Sequence, residues 1–298
     1  MDPRVKTYTM PAAMVAGIVL HQEMAQLYFL TPYIIFVMLF IPFACVSPRD
    51  VRPGRMQIMM LLFQLSAGVG MYYLLRPMGE ALAQGAMICI YAPAAMASAT
   101  IGRMLGGDVK SMTTFIILSN LGTAIATPFL FPLMGAHADM PFWSSFAAIV
   151  QRVAILLLSP LAAIWLLQWL WPRGHAFVKR HQDWSFYAWA FSLLILIGKT
   201  TDNIVKAPTH NPLLEWSLAV AGLIICLVQF GVGHWWGKRN GDPVAGTQSL
   251  GQKNTTLAIW LTLTYLNPLA AIAPTSYIIW QNLVNSWQLW KSGKRGGK

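Results

Sequence analysis

The sequence predicts an all-α membrane protein of ten transmembrane helices arranged as two inverted five-helix repeats. Three observations predict it: an apolar composition, a ladder of apolar segments separated by charged or Pro/Gly-bearing joints, and matched interruptions in the fourth member of each half. Hydrophobic residues make up 56% of the 298 and charged residues only 10%, with a mean hydropathy of +0.52. A chain of that make-up cannot hide its apolar surface from water by folding, and lipid is its expected solvent. Each crossing needs about 20 apolar residues to span about 30 Å of hydrocarbon, so this length accommodates ten with short connections.

Taken in order, the first series is Met10 to Leu20, Tyr28 to Val46, Ile58 to Leu75, Ala81 to Leu105 and Ser111 to Met134. The second is Phe142 to Trp171, Phe186 to Lys199, Leu213 to Trp236, Ala245 to Leu266 and Pro268 to Trp290. Residues 1–140 and 141–298 are therefore read as the two repeats. The opening segment follows Arg4 and Lys6 like a secretory signal, but His21-Gln22-Glu23 replaces a small-residue cleavage site, so it is read as a retained first helix. In the sixth segment, Phe142 to Val153 mixes polar and aromatic residues around Arg152, which predicts an interfacial helix before the true crossing.

Basic residues alternate between joints. Arg4 and Lys6, then Arg49, Arg52 and Arg55, then Arg103 and Lys110 fall at alternate joints of the first half, and Arg173, Lys179, Arg180, Lys238, Arg239 and the Lys291 to Lys298 tail continue the pattern. The intervening joints hold only Arg76, Lys199 and Lys206. Lys and Arg accumulate in cytoplasmic loops, so the expectation is a multi-pass protein of the cell's cytoplasmic (inner) membrane with both termini cytoplasmic. The net charge of +11 is dispersed over short loops and not gathered on one face, which argues against nucleic acid as a partner and for lipid headgroups. Tyr28, Trp171, Trp235, Trp236 and Trp290 at segment ends are expected to be interfacial anchors. Cys45, Cys89 and Cys226 lie in apolar runs without paired spacing and read as buried packing residues, with no metal or cofactor implied.

The interruptions carry the functional signal. Ala92-Pro93-Ala94 divides the fourth segment, and the stretch from Gly246 to Thr256 in the ninth is polar for three turns before apolar character resumes at Leu257. Proline removes a backbone donor, and unwound backbone at membrane depth survives only where protein or a water-filled cavity satisfies it. Paired broken helices build midplane sites in inverted-repeat transporters. A plain proline kink in the fourth segment and an extramembrane loop before a short ninth helix are the simpler alternatives.

The run Gly251-Gln252-Lys253-Asn254-Thr255-Thr256-Leu257-Ala258 resembles the G-x-Q-N-[ST]-x-L-A segment of the bile acid:sodium symporter family, and a tenth helix with a Gln281-Asn282 pair follows it as in that family. Ala92-Pro93, Ser98, Gly107-Asp108, Ser119 and Pro128 keep the order and spacing of the family's fourth and fifth helices, and Pro32-Tyr33 and Leu62-Phe63-Gln64 are similar too. The resemblance implies crossed fourth and ninth helices in a core domain of helices 3–5 and 8–10, with a panel domain of helices 1, 2, 6 and 7. It also implies sodium-coupled import of a small organic anion by alternating access, with the substrate lodged between core and panel near the crossover.

The sodium ligands are where the match fails. Ser249 and Lys253 stand where the family's ninth helix has Glu and Gln, Ala99 replaces the Asn after Ser98, and Met112 and Ile116 replace hydroxyl ligands on the fifth helix. Of that set only Gln64 and Ser98 persist. A hard cation needs several oxygen ligands, and an ammonium in their midst repels it, so sodium coupling is expected to be lost and no metal is expected. Lys253 is then a tethered cation bonded to Ser98, Gln64 and freed carbonyls, or a group that gives up its proton during the cycle and couples transport to protons. Snorkelling to the cytoplasmic face is its bland alternative. Asn254, Gln281, Asn282 and the backbone at Pro93 match substrate-side positions, with plain helix-to-helix hydrogen bonding as the alternative for the amides.

An enzyme is not expected: no H-E-x-x-H, G-x-S-x-G or P-loop occurs, and acids are sparse in the apolar segments. The rival is a scaffold or sensor of the same fold that no longer transports, favoured by the lost ligands and by the absence of glycines after Pro93.

Overall fold

A computed structural model describes residues 3–46, 51–134, 141–207 and 211–296. The regular structure of these residues is helical. In the first half α1 (Pro3–Val19) leads into α2 (His21–Gln26), a 3-10 turn (Leu27–Leu30) and α3 (Thr31–Phe43), followed by α4 (Arg55–Leu75), α5 (Glu80–Tyr91), α6 (Ala97–Met104) and α7 (Val109–Leu130). In the second, α8 (Phe142–Ile149), a π turn (Val150–Ala154) and α9 (Ile155–Leu170) precede α10 (Pro172–Arg180), α11 (Asp183–Val205) and α12 (Pro212–Arg239). α13 (Pro243–Gly251), α14 (Thr255–Tyr265), a 3-10 turn (Pro268–Ala271) and α15 (Ile272–Gly296) complete the order.

Among the described residues five helical stretches are long and apolar enough to cross a bilayer: His21–Phe43, Arg55–Met78, Val109–Leu133, Phe142–Leu170 and Pro212–Arg239. Their outward faces are apolar as well. On α12, Val220, Ile224, Leu227 and Val228 point away from the protein at spacings of four, three and one residues, one side of a helix. Such a stripe in water would be an open aggregation surface, and in hydrocarbon it costs nothing. The protein is therefore membrane-embedded.

α1, α2, α3 and α9 pack around α11 or one another, whereas α4, α5 and α7 pack with α12, α13 and α15 in a second group. The closest approach is between α12 and α13. Cβ atoms built on Gly233 or Gly246 would lie 2.4 and 2.3 Å from the facing glycine's carbonyl oxygen, and Gly237 completes a small-xxx-small face on α12. Only glycine lets these backbones touch.

Several expectations are corrected. The break in the ninth segment is far shorter than the polar composition suggested: Pro243–Gly251 is helical, and only Gln252 to Asn254 are unwound. Its polar side chains are buried among neighbouring helices, so the turns stay intact where a long unwound stretch was expected. Arg152 sits in a π turn that carries α8 directly into α9 as one 29-residue stretch, not after a separate interfacial helix. Cys45 is exposed at the end of α3. Tyr28 is half-buried, and its hydroxyl pairs with Thr264 Oγ1 at 2.6 Å and donates to the Trp260 carbonyl at 3.3 Å.

Candidate functional site at the crossing of two broken segments

The two breaks meet. Residues 93–95 and 252–254 run antiparallel, with the Asn254 amide donating to the Pro93 carbonyl at 2.8 Å and the Ala95 amide donating to the Gln252 carbonyl at 2.9 Å. Around this two-stranded patch α5 packs against α14 and α6 against α13, so each half-helix touches the far half of the other segment.

Every carbonyl freed at the end of α5 has a new partner. Ile88 still accepts from the Ala92 amide at 2.9 Å. Cys89 would be served next by residue 93, but proline has no N–H, and Gln229 Nε2 of α12 donates to it at 2.8 Å. Ala94 turns its amide to Ser119 Oγ at 2.8 Å, leaving the Ile90 carbonyl for Lys253 Nζ at 2.8 Å. The Tyr91 carbonyl accepts from Gln64 Nε2 at 2.9 Å. On the other segment, Tyr277 Oη donates to the last carbonyl of α13, Gly251, at 2.8 Å, and Asn254 Oδ1 caps α14 by accepting from the Leu257 amide at 3.2 Å.

Lys253 is 1% exposed, so it does not snorkel. Its ammonium sits at the negative end of the α5 dipole, where a cation is stabilised by both the carbonyl and the aligned peptide units. It does not bond Ser98 or Gln64 as expected. The Gln64 amide goes to Tyr91 and Thr123, and Ser98 Oγ, like Ser249 Oγ, Gln64 Oε1 and Asn120 Oδ1, is buried without a protein partner. A carbonyl orphaned by a helix break is the better acceptor for an ammonium than a hydroxyl, and the strand geometry aims the side chain at it.

Of the residues singled out in the sequence, Lys253, Pro93, Asn254 and Gln281 are brought together: Gln281 Oε1 accepts from the Lys253 amide at 3.1 Å. Ser98 and Ala99 lie in the first turn of α6, Ala99 half-buried, and Ser249 is in the last turn of α13. Asn282 is not part of the cluster, since its amide returns to the Ile278 carbonyl one turn back in its own helix at 2.7 Å. Sequence reasoning missed Gln229, Asn120, Tyr277 and Asn285, and gave Ser119 only a place in a motif. A lone glutamine or asparagine inside an apolar run is a signal for such residues, because an amide in hydrocarbon needs a partner.

The sequence matches no protein-family profile and no curated protein. Among the described residues no group of three or more His, Cys, Asp or Glu side chains gathers to hold a metal ion. Chemically, the crossing joins the buried Lys253 amine and the C-terminal ends of α5 and α13 to the positive N-terminal ends of α6 and α14, a polar centre lined by amides and hydroxyls.

Proposed function

We propose that the protein is a secondary transporter of a small organic anion, working by alternating access and without sodium, and that it is a divergent relative of the bile acid:sodium symporters. The observation that carries this reading is the buried Lys253 ammonium tied to the Ile90 carbonyl across the crossing of two broken segments. A transporter needs a polar centre that is shielded from lipid and shared by two groups of helices, and this arrangement supplies one. In this reading Lys253 takes over the role that a bound cation plays in the relatives, holding the crossing closed while the anion is drawn to the ends of α6 and α14. The two five-helix halves act as inverted repeats spanning the membrane ten times with cytoplasmic termini, and the α1–α3, α9 and α11 group works as a panel against the core. Proton coupling through Lys253 belongs to the same reading, because a buried amine is able to give up its proton during the cycle.

The test is uptake into proteoliposomes of the purified chain, screened with radiolabelled small carboxylates. Uptake or exchange is expected to persist when choline replaces sodium, and Lys253→Ala, purified as a monodisperse species, is expected to lose at least about tenfold of it, the loss matching roughly 1.4 kcal/mol in the rate-limiting state. Sodium-dependent uptake, or full activity in Lys253→Ala, overturns the role of Lys253. Vesicles inert to every carboxylate, with the protein folded, favour the scaffold instead.

A further inference from the structure

A groove of about 880 Å³ lies between α12, α13 and α15, and the transport reading leaves it without a role. Its walls change character along their length. One end is apolar, lined by Leu223, Leu227, Phe230, Trp280, Leu283 and Val284; the other is lined by His234, Thr247, Gln248, Gln288, Lys291 and Ser292. From Leu223 to His234, and from Trp280 to Lys291, each wall rises about 16 Å at about 1.5 Å per residue. That is about the hydrocarbon depth of one leaflet. The polar end adjoins the basic joint, with Lys238 one turn beyond His234 on the same face of α12 and Lys291 Nζ over the Trp287 ring at 4.8 Å. No acidic side chain is among the described residues of the lining. Asp242, at the base of α13, is occupied by the amides of Ala245 and Asp108.

A second observation points to a ligand there. Gln248 is fully buried at the groove floor; its Nε2 donates to Gln288 Oε1 at 2.7 Å and Asn285 Oδ1 at 3.3 Å, while its Oε1 has no partner. A buried acceptor without a partner at this polar end calls for a donor, which a hydroxyl-bearing headgroup carries.

We infer that this groove is a specific site for one anionic phospholipid of the leaflet facing the basic joints, its acyl chain along the α12–α15 wall and its headgroup among His234, Lys238, Gln248 and Lys291. A soluble amphipath would not need a slot one leaflet deep, and a second protein copy would not need the basic, hydrogen-bonding end. The inference requires only that the chain be membrane-embedded and stands apart from the transport reading.

The experiment is native mass spectrometry of the full chain in a non-ionic detergent, titrated with palmitoyl-oleoyl phosphatidylglycerol or with the phosphatidylcholine of the same chains. A one-to-one phosphatidylglycerol adduct is expected at well below the phosphatidylcholine concentration that gives the same occupancy. Lys291→Ala should weaken it about fivefold, the effect of one basic residue at the headgroup level. Gly231→Leu is the second variant: a Cβ at Gly231 meets nothing within 4 Å, so the larger side chain fills the groove without displacing the fold and should abolish the adduct. Equal retention of the two lipids, an undiminished adduct in both variants, or a lipid-free dimer that Gly231→Leu dissociates would overturn the site.

Discussion

Pro93 and Gln229 illustrate how one missing hydrogen shapes a membrane protein. The proline withdraws the donor that Cys89 would have had, and an amide from a helix 140 residues away in sequence takes its place. Leaving that carbonyl bare in a buried site costs about 1–3 kcal/mol. Gln229→Leu, which keeps the volume and removes the donor, should therefore lower the apparent melting temperature in detergent by several degrees; an unchanged transition would mean that the Cys89 carbonyl finds another partner. Both residues are plain in the sequence, and so is Lys253 as an amine in the wrong place. What could not be read there is their pairing. The Lys253 amine takes the Ile90 carbonyl in place of the expected Ser98 and Gln64, a carbonyl left open because the Ala94 amide has gone to Ser119 on another helix.

Among the helices, α12 and α13 show the same dependence on neighbours. Composition alone made the stretch from Gly246 to Thr256 look unwound, yet its first six residues are helical. Thr247 returns its hydroxyl to the Pro243 carbonyl, and Gln248 finds Gln288 and Asn285 on α15, so polar side chains that would be exposed in an isolated helix are satisfied here. Glycine explains how α13 comes close enough. With Gly233, Gly237 and Gly246 in backbone contact, Gly233→Leu should force the pair apart and cost about 1–3 kcal/mol or more, seen as loss of the monodisperse peak on size-exclusion chromatography. Gly70→Leu is the matched control, since a Cβ at Gly70 of α4 meets nothing within 4 Å and should leave the elution profile unchanged. Normal elution of both variants would show that the contact is not needed for the fold.

At the scale of the whole molecule, two groups of helices share few polar ties, and Tyr28 makes one of them. Its hydroxyl joins the turn between α2 and α3 to Thr264 and Trp260 on α14, the half-helix that begins at the crossing. In the proposed transport cycle the two groups move relative to one another, and a tie between them then acts on the rate of that motion more than on stability. Tyr28→Phe should cost no more than about 0.5–1.5 kcal/mol in thermal unfolding while changing the uptake rate in proteoliposomes. Unaltered uptake with a large loss of stability would make the bond a structural one. The sequence reading gave Tyr28 an anchoring role because aromatic residues at segment ends usually sit at a membrane surface; its hydrogen-bond partner, 236 residues further along the chain, could not be read there.

The amino-acid sequence by itself determined the solvent, the succession of apolar helices and the two positions at which a helix must break, because hydropathy, a missing N–H and a charge in an apolar run are properties of residues and their near neighbours. Only the tertiary structure decided that the two breaks pair as antiparallel strands, that the ninth segment unwinds for three residues and not for three turns, and which carbonyl receives Lys253. Those outcomes turn on which donor reaches which orphaned acceptor. In a medium without water every such group must find its partner within the protein, and the partners lie on helices that sequence proximity does not connect.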